Sequence, residues 1–403
     1  NTATLIERVE IAQAGYLNFF VKKSLLEDIV KQIESANENF GKSTIGKGQQ
    51  VLIEFVSANP TGPLNVVSAR AASVGDALAN VLDHVGYNVG REFYVNDFGV
   101  QALLFGESLK ARYLELFGKS PVIPENGYHG QYLIDLATRL FDEGVFSKYN
   151  FPEEITFAEF SKVGLDAILL QQKIDLEKFG VKFDIWYRET KLHEENKPNK
   201  TLEQLKKAGY VFESEGAVWF KSTEFGDEKD RVLVKSDGNT TYFLNDIAYH
   251  QDKFERGHSW LIDLWGPDHH GHVLRMKAAM QALGHKKEQT EIIIVQQVNL
   301  LRDGQRIKMS KRAGQIETME DLINEVGVDA ARFFFLLRGS DSHLDFDLEV
   351  AKHQTNDNPV FYVQYAHARV CSIFQQAAQK NIPIPLAKDV DLSLLQLPEE
   401  ADI

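Results

Sequence analysis

Two short stretches of the chain carry residue types suited to phosphate chemistry. The first is Ser57-Ala-Asn-Pro-Thr-Gly-Pro63, which runs on to Ser68. Its two prolines and its glycine cannot continue a strand or a helix, so it must be a loop. It leads from a β-rich run, residues 51–56, into a stretch of helical period. A loop that feeds a helix N-terminus presents backbone N–H groups and a partial positive charge to a phosphate. Gly62 would allow close backbone approach, and Asn59 and Asn65 supply uncharged hydrogen-bonding groups. The plainer reading is an ordinary βα loop with Ser68 as N-cap. The second stretch is Arg306-Ile-Lys-Met-Ser-Lys-Arg312, after the turn signal Asp303-Gly304. Lys308 and Lys311, flanked by the two arginines, form a cationic clamp suited to charge developing on a leaving pyrophosphate. Its plainer reading is a solvated basic loop. A third cluster, Asp268-His269-His270-Gly271-His272, has the donor types of a zinc site. Adjacent ligands lack the usual spacing, so no metal centre is expected there.

The elements that must position these loops follow from periodicity. Over residues 68–85, Val74, Leu78, Val81, Leu82 and Val85 fall on one helical face, and Gly86 is a natural stop. Residues 91–95 then read as a strand. Strand, loop, helix and strand in this order open a doubly wound parallel sheet, a Rossmann-like α/β fold. Residues 104–200 show helical patterns, a Pro/Gly-rich segment at 120–130 and few strand runs, which reads as a helical insertion. Strand patterns return at 217–220 and 232–235. A second strand–helix–strand unit follows at 259–265, 272–283 and 292–298. Beyond about residue 325 the pattern is helical, with an amphipathic helix over 361–375. Five segments result: 1–45, a lead-in with a strand-like aromatic run at 16–22 and a linker; 46–110, the first half of the sheet domain; 111–200, the insertion; 201–325, the second half with the lysine loop; and 326–403, stem helices and the start of a helical bundle.

Composition bounds the function. The 403 residues predict two to three domains. A single cysteine, Cys371, excludes an internal disulfide framework and a cysteine-rich zinc site, and points to a reducing, cytoplasmic setting. Apolar runs such as 292–295 are too short to cross a bilayer, so no membrane association is expected. The net charge of −14 argues against a protein that coats nucleic acid over its whole surface, and it suits a cationic small-molecule substrate. The chain opens on Asn1 rather than Met, without signal-peptide features, and reads as part of a longer protein.

The two loops together resemble those of class I aminoacyl-tRNA synthetases, and further stretches narrow the resemblance to the arginyl-tRNA synthetase family. These are residues 57–63, Val95-Asn-Asp-Phe-Gly-Val-Gln101, Glu125-Asn-Gly-Tyr-His-Gly130, Tyr242-Phe-Leu-Asn-Asp-Ile-Ala-Tyr-His250, Trp265-Gly-Pro-Asp-His-His-Gly-His272 and Asn358-Pro-Val-Phe-Tyr-Val-Gln-Tyr-Ala-His-Ala-Arg369. The resemblance implies an arginine–tRNA ligase that uses ATP and Mg²⁺, with L-arginine and tRNA(Arg) as partners, acting as a monomer. It implies an arginine pocket made by Glu54, Asn59, Tyr242 and Asp246, with Glu213 or Glu215 as a second carboxylate. Asp246 would hold the guanidinium, a planar fork of donors that matches a bidentate carboxylate. The plainer reading of Tyr242 and Asp246 is an i, i+4 pair on their own helix. Lys308, Lys311, Asn65 and Ser68 would be the catalytic set. ATP would meet Gly62, Asn65, Ser68, Asp268, His269, His272, Met309 and Ser310. Lys22, Lys23, Lys197 and Lys200 are candidate contacts to the tRNA backbone. The resemblance also implies that most of an N-terminal tRNA-elbow domain and of a C-terminal anticodon-binding bundle lie outside this chain, and that adenylate formation requires bound tRNA. One departure stands out. The family's first motif is His-x-Gly-His, and this chain reads Asn65-Val-Val-Ser68. Neither Asn nor Ser can carry the positive charge that His can. That loss raises the alternative of a non-catalytic tRNA-binding paralogue.

Overall fold

The computed structural model describes residues 5–307, 318–355 and 357–401. The chain forms two compact units, residues 1–43 with 363–403, and residues 44–362. In the first unit, β1 (Ile6–Ala12) and β2 (Tyr16–Val21) make an antiparallel hairpin, followed by α1 (Lys23–Ala36). The aromatic run expected at 16–22 is thus a strand of a local hairpin.

The second unit begins with β3 (Gln50–Glu54), α2 (Val66–His84) and β4 (Asn88–Val95). The helices α3 (Val100–Glu115), α4 (Gln131–Asp142) and α5 (Phe157–Lys178) follow and share their own core of Phe105, Leu109, Leu133, Leu136 and Phe160. Thr156 and Glu159 close a capping box at the start of α5, satisfying two backbone donors reciprocally. The chain then rejoins the sheet at β5 (Ile185–Arg188), inside the stretch read as insertion to residue 200. Next come α6 (Glu189–Glu194), α7 (Lys197–Lys207) and a separate antiparallel sheet of β6 (Val211–Ser214), β7 (Ala217–Phe220) and β8 (Arg231–Val234). The second half continues with α8 (Tyr242–Glu255), β9 (Trp260–Trp265), α9 (Val273–Ala282) and β10 (Thr290–Ile294). The run expected as one strand over 292–298 is split, because β11 (Val298–Arg302) turns away into a third sheet with β12 (Gln305–Arg306). After α10 (Met319–Val326) and α11 (Val328–Leu336), that sheet gains β13 (Leu344–Asp347), parallel to β11, where only helix was expected. The chain closes with α12 (Leu348–Lys352), α13 (Pro359–Gln379), which carries the exposed Cys371, and α14 (Pro398–Ala401).

The main sheet is parallel throughout, in the order β10-β9-β3-β4-β5. From β3 the chain winds outward through β4 to β5, then returns on the other side of β3 through β9 and β10. The strand order therefore reverses between β3 and β9, the place where open α/β sheets bind ligands beyond their carboxyl ends. The period of two along each strand assigns the faces. Val51, Ile53, Phe93, Val95, Ile262 and Leu264 join one core with residues of α2, α10 and α11. α2 lies so close to the sheet that a Cβ on Gly75 would sit 2.3 Å from the Phe55 ring. The other face carries Glu54, Glu92 and Asp263, all buried. Among the described residues no helix is long and apolar enough to cross a membrane.

Candidate active site

The loop after β3 leaves the sheet through a tight, strained turn. Val56 and Ser57 have φ of 68° and 41°, and Ser57 N donates to Phe55 O at 2.9 Å. A β-branched residue at positive φ is an outlier that persists only when its surroundings hold it. The hold is visible: Ser57 Oγ donates to Glu54 Oε1 at 2.8 Å and accepts from Tyr94 N at 3.1 Å. Further along, buried Gln172 donates to Asn59 O at 3.1 Å and Gly62 O at 2.9 Å, and Tyr132 Oη donates to Thr61 O at 2.7 Å. Asn59 itself is exposed and donates to Gln101 at 2.7 Å. A Cβ on Gly62 would meet only the Tyr132 ring, at an ordinary 3.6 Å, so the chain's own packing does not require glycine there.

The N-cap of α2 is Asn65, and Ser68 lies inside the helix, which corrects the plainer reading of this loop. Asn65 Oδ1 accepts from Ser68 N at 2.9 Å and from Ser68 Oγ at 3.1 Å. Ser68 thus turns its hydroxyl proton to the cap. Asn65 Nδ2 makes no hydrogen bond among the described residues and remains available as a donor. At the end of β9, the loop Pro267–His272 emerges beside it, because β9 and β3 are neighbours with Asp263 opposite Glu54. His269 and His272 meet edge-on with centroids 5.5 Å apart, and His269 lies 6.0 Å from the Trp265 ring. Burial, with Arg275 nearby, holds His272 below the ordinary histidine value. Asp268 is exposed on the same loop. Among the described residues no group of three or more His, Cys, Asp or Glu side chains is placed to hold a metal ion.

Carboxylates gather on the α8 face of the sheet at its carboxyl end. Glu54, Glu92 and Asp263 are side by side on three neighbouring strands, since Glu54 registers with Glu92 on β4 and with Asp263 on β9. Lys253, buried, donates to Glu54 Oε2 at 2.5 Å and also to Asp263 Oδ1. His250 Nε2 lies 3.1 Å from Asp263 Oδ2, and its Nδ1 lies 2.8 Å from the Asp246 carbonyl. Arg256 grips Glu92 at 2.6 and 3.0 Å, and Tyr249 Oη donates to the same carboxylate at 2.5 Å.

Asp246, partly buried one turn earlier on α8, is pushed up to about 7, first by burial and then by the like charges of Glu189 and Glu54. Among the described residues no cation lies within ion-pair distance of its carboxylate. Glu189, buried just after β5, is also raised by burial and lies 3.5 Å from His193 Nε2. Periodicity did not single out Glu189, although an acidic residue directly after a parallel strand was a usable signal. Tyr242, four residues before Asp246, is 74% exposed, and Glu213 and Glu215 stand exposed on the β6–β7 hairpin. The structure thus brings Glu54 and Asp246 together with Glu189 and leaves Tyr242, Asn59 and Glu213 at the surface. Of the lysines considered for tRNA, Lys197 is engaged with Asp252 and Glu255 at 2.8 Å each. Lys308, Met309, Ser310 and Lys311 lie outside the described residues.

An Asn-capped helix N-terminus and a histidine loop sit at the switch point of a parallel α/β sheet, the place where open sheets of this class take ligands. The family model for tRNA synthetases class I (R), catalytic domain, matches residues 29–336. The arginine–tRNA ligase of Caldanaerobacter subterraneus subsp. tengcongensis is 47% identical over 403 residues, covering 100% of this chain and 72% of that protein. The Bacillus subtilis arginine–tRNA ligase is 47% identical over 99% of this chain and 71% of its own length. A solved chain from Campylobacter jejuni is 39% identical, with a TM-score of 0.81 over 89% of this chain and 78% of that one. The Thermus thermophilus arginyl-tRNA synthetase, at 20% identity and a TM-score of 0.70, covers 93% of this chain and 71% of its own and shares the fold. The chain belongs to the arginyl-tRNA synthetase family of class I.

Proposed function

We propose that this protein joins L-arginine to ATP, releases pyrophosphate, and passes the arginyl group to the terminal adenosine of tRNA(Arg). The observation that carries the reading is the group of carboxylates Glu54 at the end of β3, Glu189 just after β5 and Asp246 on α8, which act on one another electrostatically. The three carboxylates repel one another, and Asp246 has no ion-pair partner among the described residues, in a chain 47% identical to arginine–tRNA ligases. Asp246 and Glu189 face the guanidinium, with Glu54 beneath it. Tyr242 and Asn59, now at the surface, and Glu213 would contribute only by closing over bound substrate. The arginine carboxylate attacks the α-phosphorus in line, a P–O bond forms, and the bond to the β-phosphate breaks. The work of the chain is positioning and charge stabilisation. The N-terminus of α2 with Asn65, Ser68 and Gly62 faces the phosphates, His269, His272 and Asp268 face the adenosine, and Met309 and Ser310 border the ATP. Lys308 and Lys311 stabilise the departing pyrophosphate. Mg²⁺ enters as part of the MgATP substrate. The terminal ribose hydroxyl then attacks the arginyl carbonyl and AMP leaves. We read the protein as a cytoplasmic monomer.

Pyrophosphate exchange with arginine, ATP and tRNA(Arg) tests this. Exchange that needs arginine and is not supported by lysine is the expected result. Retained tRNA binding without exchange would favour the non-catalytic paralogue, for which the ligase names of the relatives offer no support. The titration of Asp246 gives a further expectation. A carboxylate raised to about 7 in the free enzyme is protonated below that pH and cannot pair with a guanidinium. kcat/KM for arginine should therefore fall about tenfold per pH unit on the acid side of 7 and level off above it. Bound arginine favours the ionised form, so kcat at saturating arginine should lose this dependence or show it at lower pH. An acid limb at the same pH in both profiles would assign the titration to another group.

A further inference from the structure

We propose that Lys253 is a positioning residue for the arginine pocket, fixing Glu54 against the helix turn that carries Asp246; the inference rests on the ligase reading above. Two buried carboxylates on adjacent parallel strands repel each other, and Glu54 and Asp263 are such a pair. Lys253 enters between them from α8 and donates to both, while its ammonium lies 4.4 Å from the Tyr249 ring centroid. The arrangement extends across the sheet. His250 and Lys253 on α8 and Arg256 at its C-cap recur every three residues and meet Asp263, Glu54 and Glu92 on three successive strands. Three helical residues advance about 4.5 Å, and neighbouring strands lie about 4.8 Å apart, so the stripe of cations matches the row of anions.

The contacts around Lys253 form a continuous path. Ser57, in the strained turn, binds one oxygen of Glu54, and Lys253 binds the other. Lys253 also binds Asp263, whose second oxygen meets His250, and His250 meets the main-chain carbonyl of Asp246. One end of the path is the β3 loop and the other is the turn of Asp246. Lys253 also supplies the cation that Glu54 and Asp263 need, so an incoming guanidinium meets Asp246, which has no ion-pair partner among the described residues and feels Lys253 only at longer range. Arg256 is a partly buried cation one strand further away, bonded to the buried carboxylate of Glu92. It is the internal control.

The test measures steady-state exchange kinetics of Lys253→Met, Arg256→Met and Asp246→Asn in the same full chain. Lys253→Met should raise the arginine KM by about 20-fold or more with the ATP KM within about threefold, the pattern of a lost site-specific contact. Arg256→Met should lower the unfolding midpoint comparably and leave the arginine KM within about threefold. Equal effects of the two on the arginine KM, or parallel rises in the arginine and ATP constants for Lys253→Met, would overturn the proposal. If Lys253→Met does not fold, Ser57→Ala decides. It releases the other oxygen of Glu54 and should raise the arginine KM about fivefold, and an unchanged KM would overturn the role. A large effect of Asp246→Asn beside a silent Lys253→Met would reject the positioning role alone. Absence of arginine-dependent exchange in the unmodified protein would reject the ligase reading and this inference with it.

Discussion

Asp246→Asn is expected to raise the arginine KM by about two to three orders of magnitude, with the ATP KM nearly unchanged. The substitution keeps the size of the side chain and its place on α8 while removing its charge. A bound guanidinium would then face an amide that offers one acceptor and two donors in place of two acceptors. Truncating one partner of a buried, hydrogen-bonded charge pair costs about 2–5 kcal/mol. The remaining carboxylates do not make up the difference, because Glu54 is held by Ser57 and Lys253, and Glu189 has His193 at 3.5 Å. The same variant should abolish the acid limb of the kcat/KM profile for arginine. An unchanged KM, measured by exchange or by direct titration of arginine, would remove Asp246 from the pocket.

Arg70→Met should cost about 1–3 kcal/mol of stability, read as a lower urea midpoint. Arg70 rises from α2 into the core and is fully buried. Its guanidinium donates to the carbonyls of Gln296 at 2.9 Å, Gln297 at 3.4 Å and Gly339 at 2.9 Å. These carbonyls belong to the turn between β10 and β11 and to the segment leading into β13. Methionine fills similar volume but leaves the Gln296 carbonyl without a donor, at about 1–3 kcal/mol for a buried unpaired group, whereas Gln297 O keeps Leu344 N at 3.3 Å and Gly339 O keeps Ser342 N at 3.1 Å. Part of that is offset, because burial already opposes the charged guanidinium and pushes it below its ordinary value, with only Asp341 acting the other way. A midpoint within error of the unmodified protein would mean that water satisfies the Gln296 carbonyl instead.

The parts of the fold that sequence discloses are those with local signals. The strand, proline-bearing loop and helix at residues 50–84 are written in β-rich composition, breakers and a clean period, and the structure places them within two residues of expectation. The strands β5 and β13 have no such signal. Each is four residues long and is a strand only because a neighbour supplies its hydrogen bonds. The break between β10 and β11 is likewise invisible in an apolar run, since which sheet a strand joins is a tertiary decision. At the site, Glu54 and Asp246 are named by motif, and Asn65 by its place before a helix. Glu189 required knowledge of which strand ends beside β4. The stripe His250, Lys253, Arg256 looks in sequence like the polar face of a surface helix. Only the register of three strands shows that this face is buried against acids.

That register also fixes the reading frame of α8. Each residue added to or removed from a helix turns everything beyond it by about 100°. A single-codon insertion or deletion between His250 and Arg256 would therefore swing the remaining cations away from the sheet and bring apolar or neutral groups over buried carboxylates. Substitutions there can be graded in effect, but changes of length cannot, and this stretch of seven residues should tolerate none.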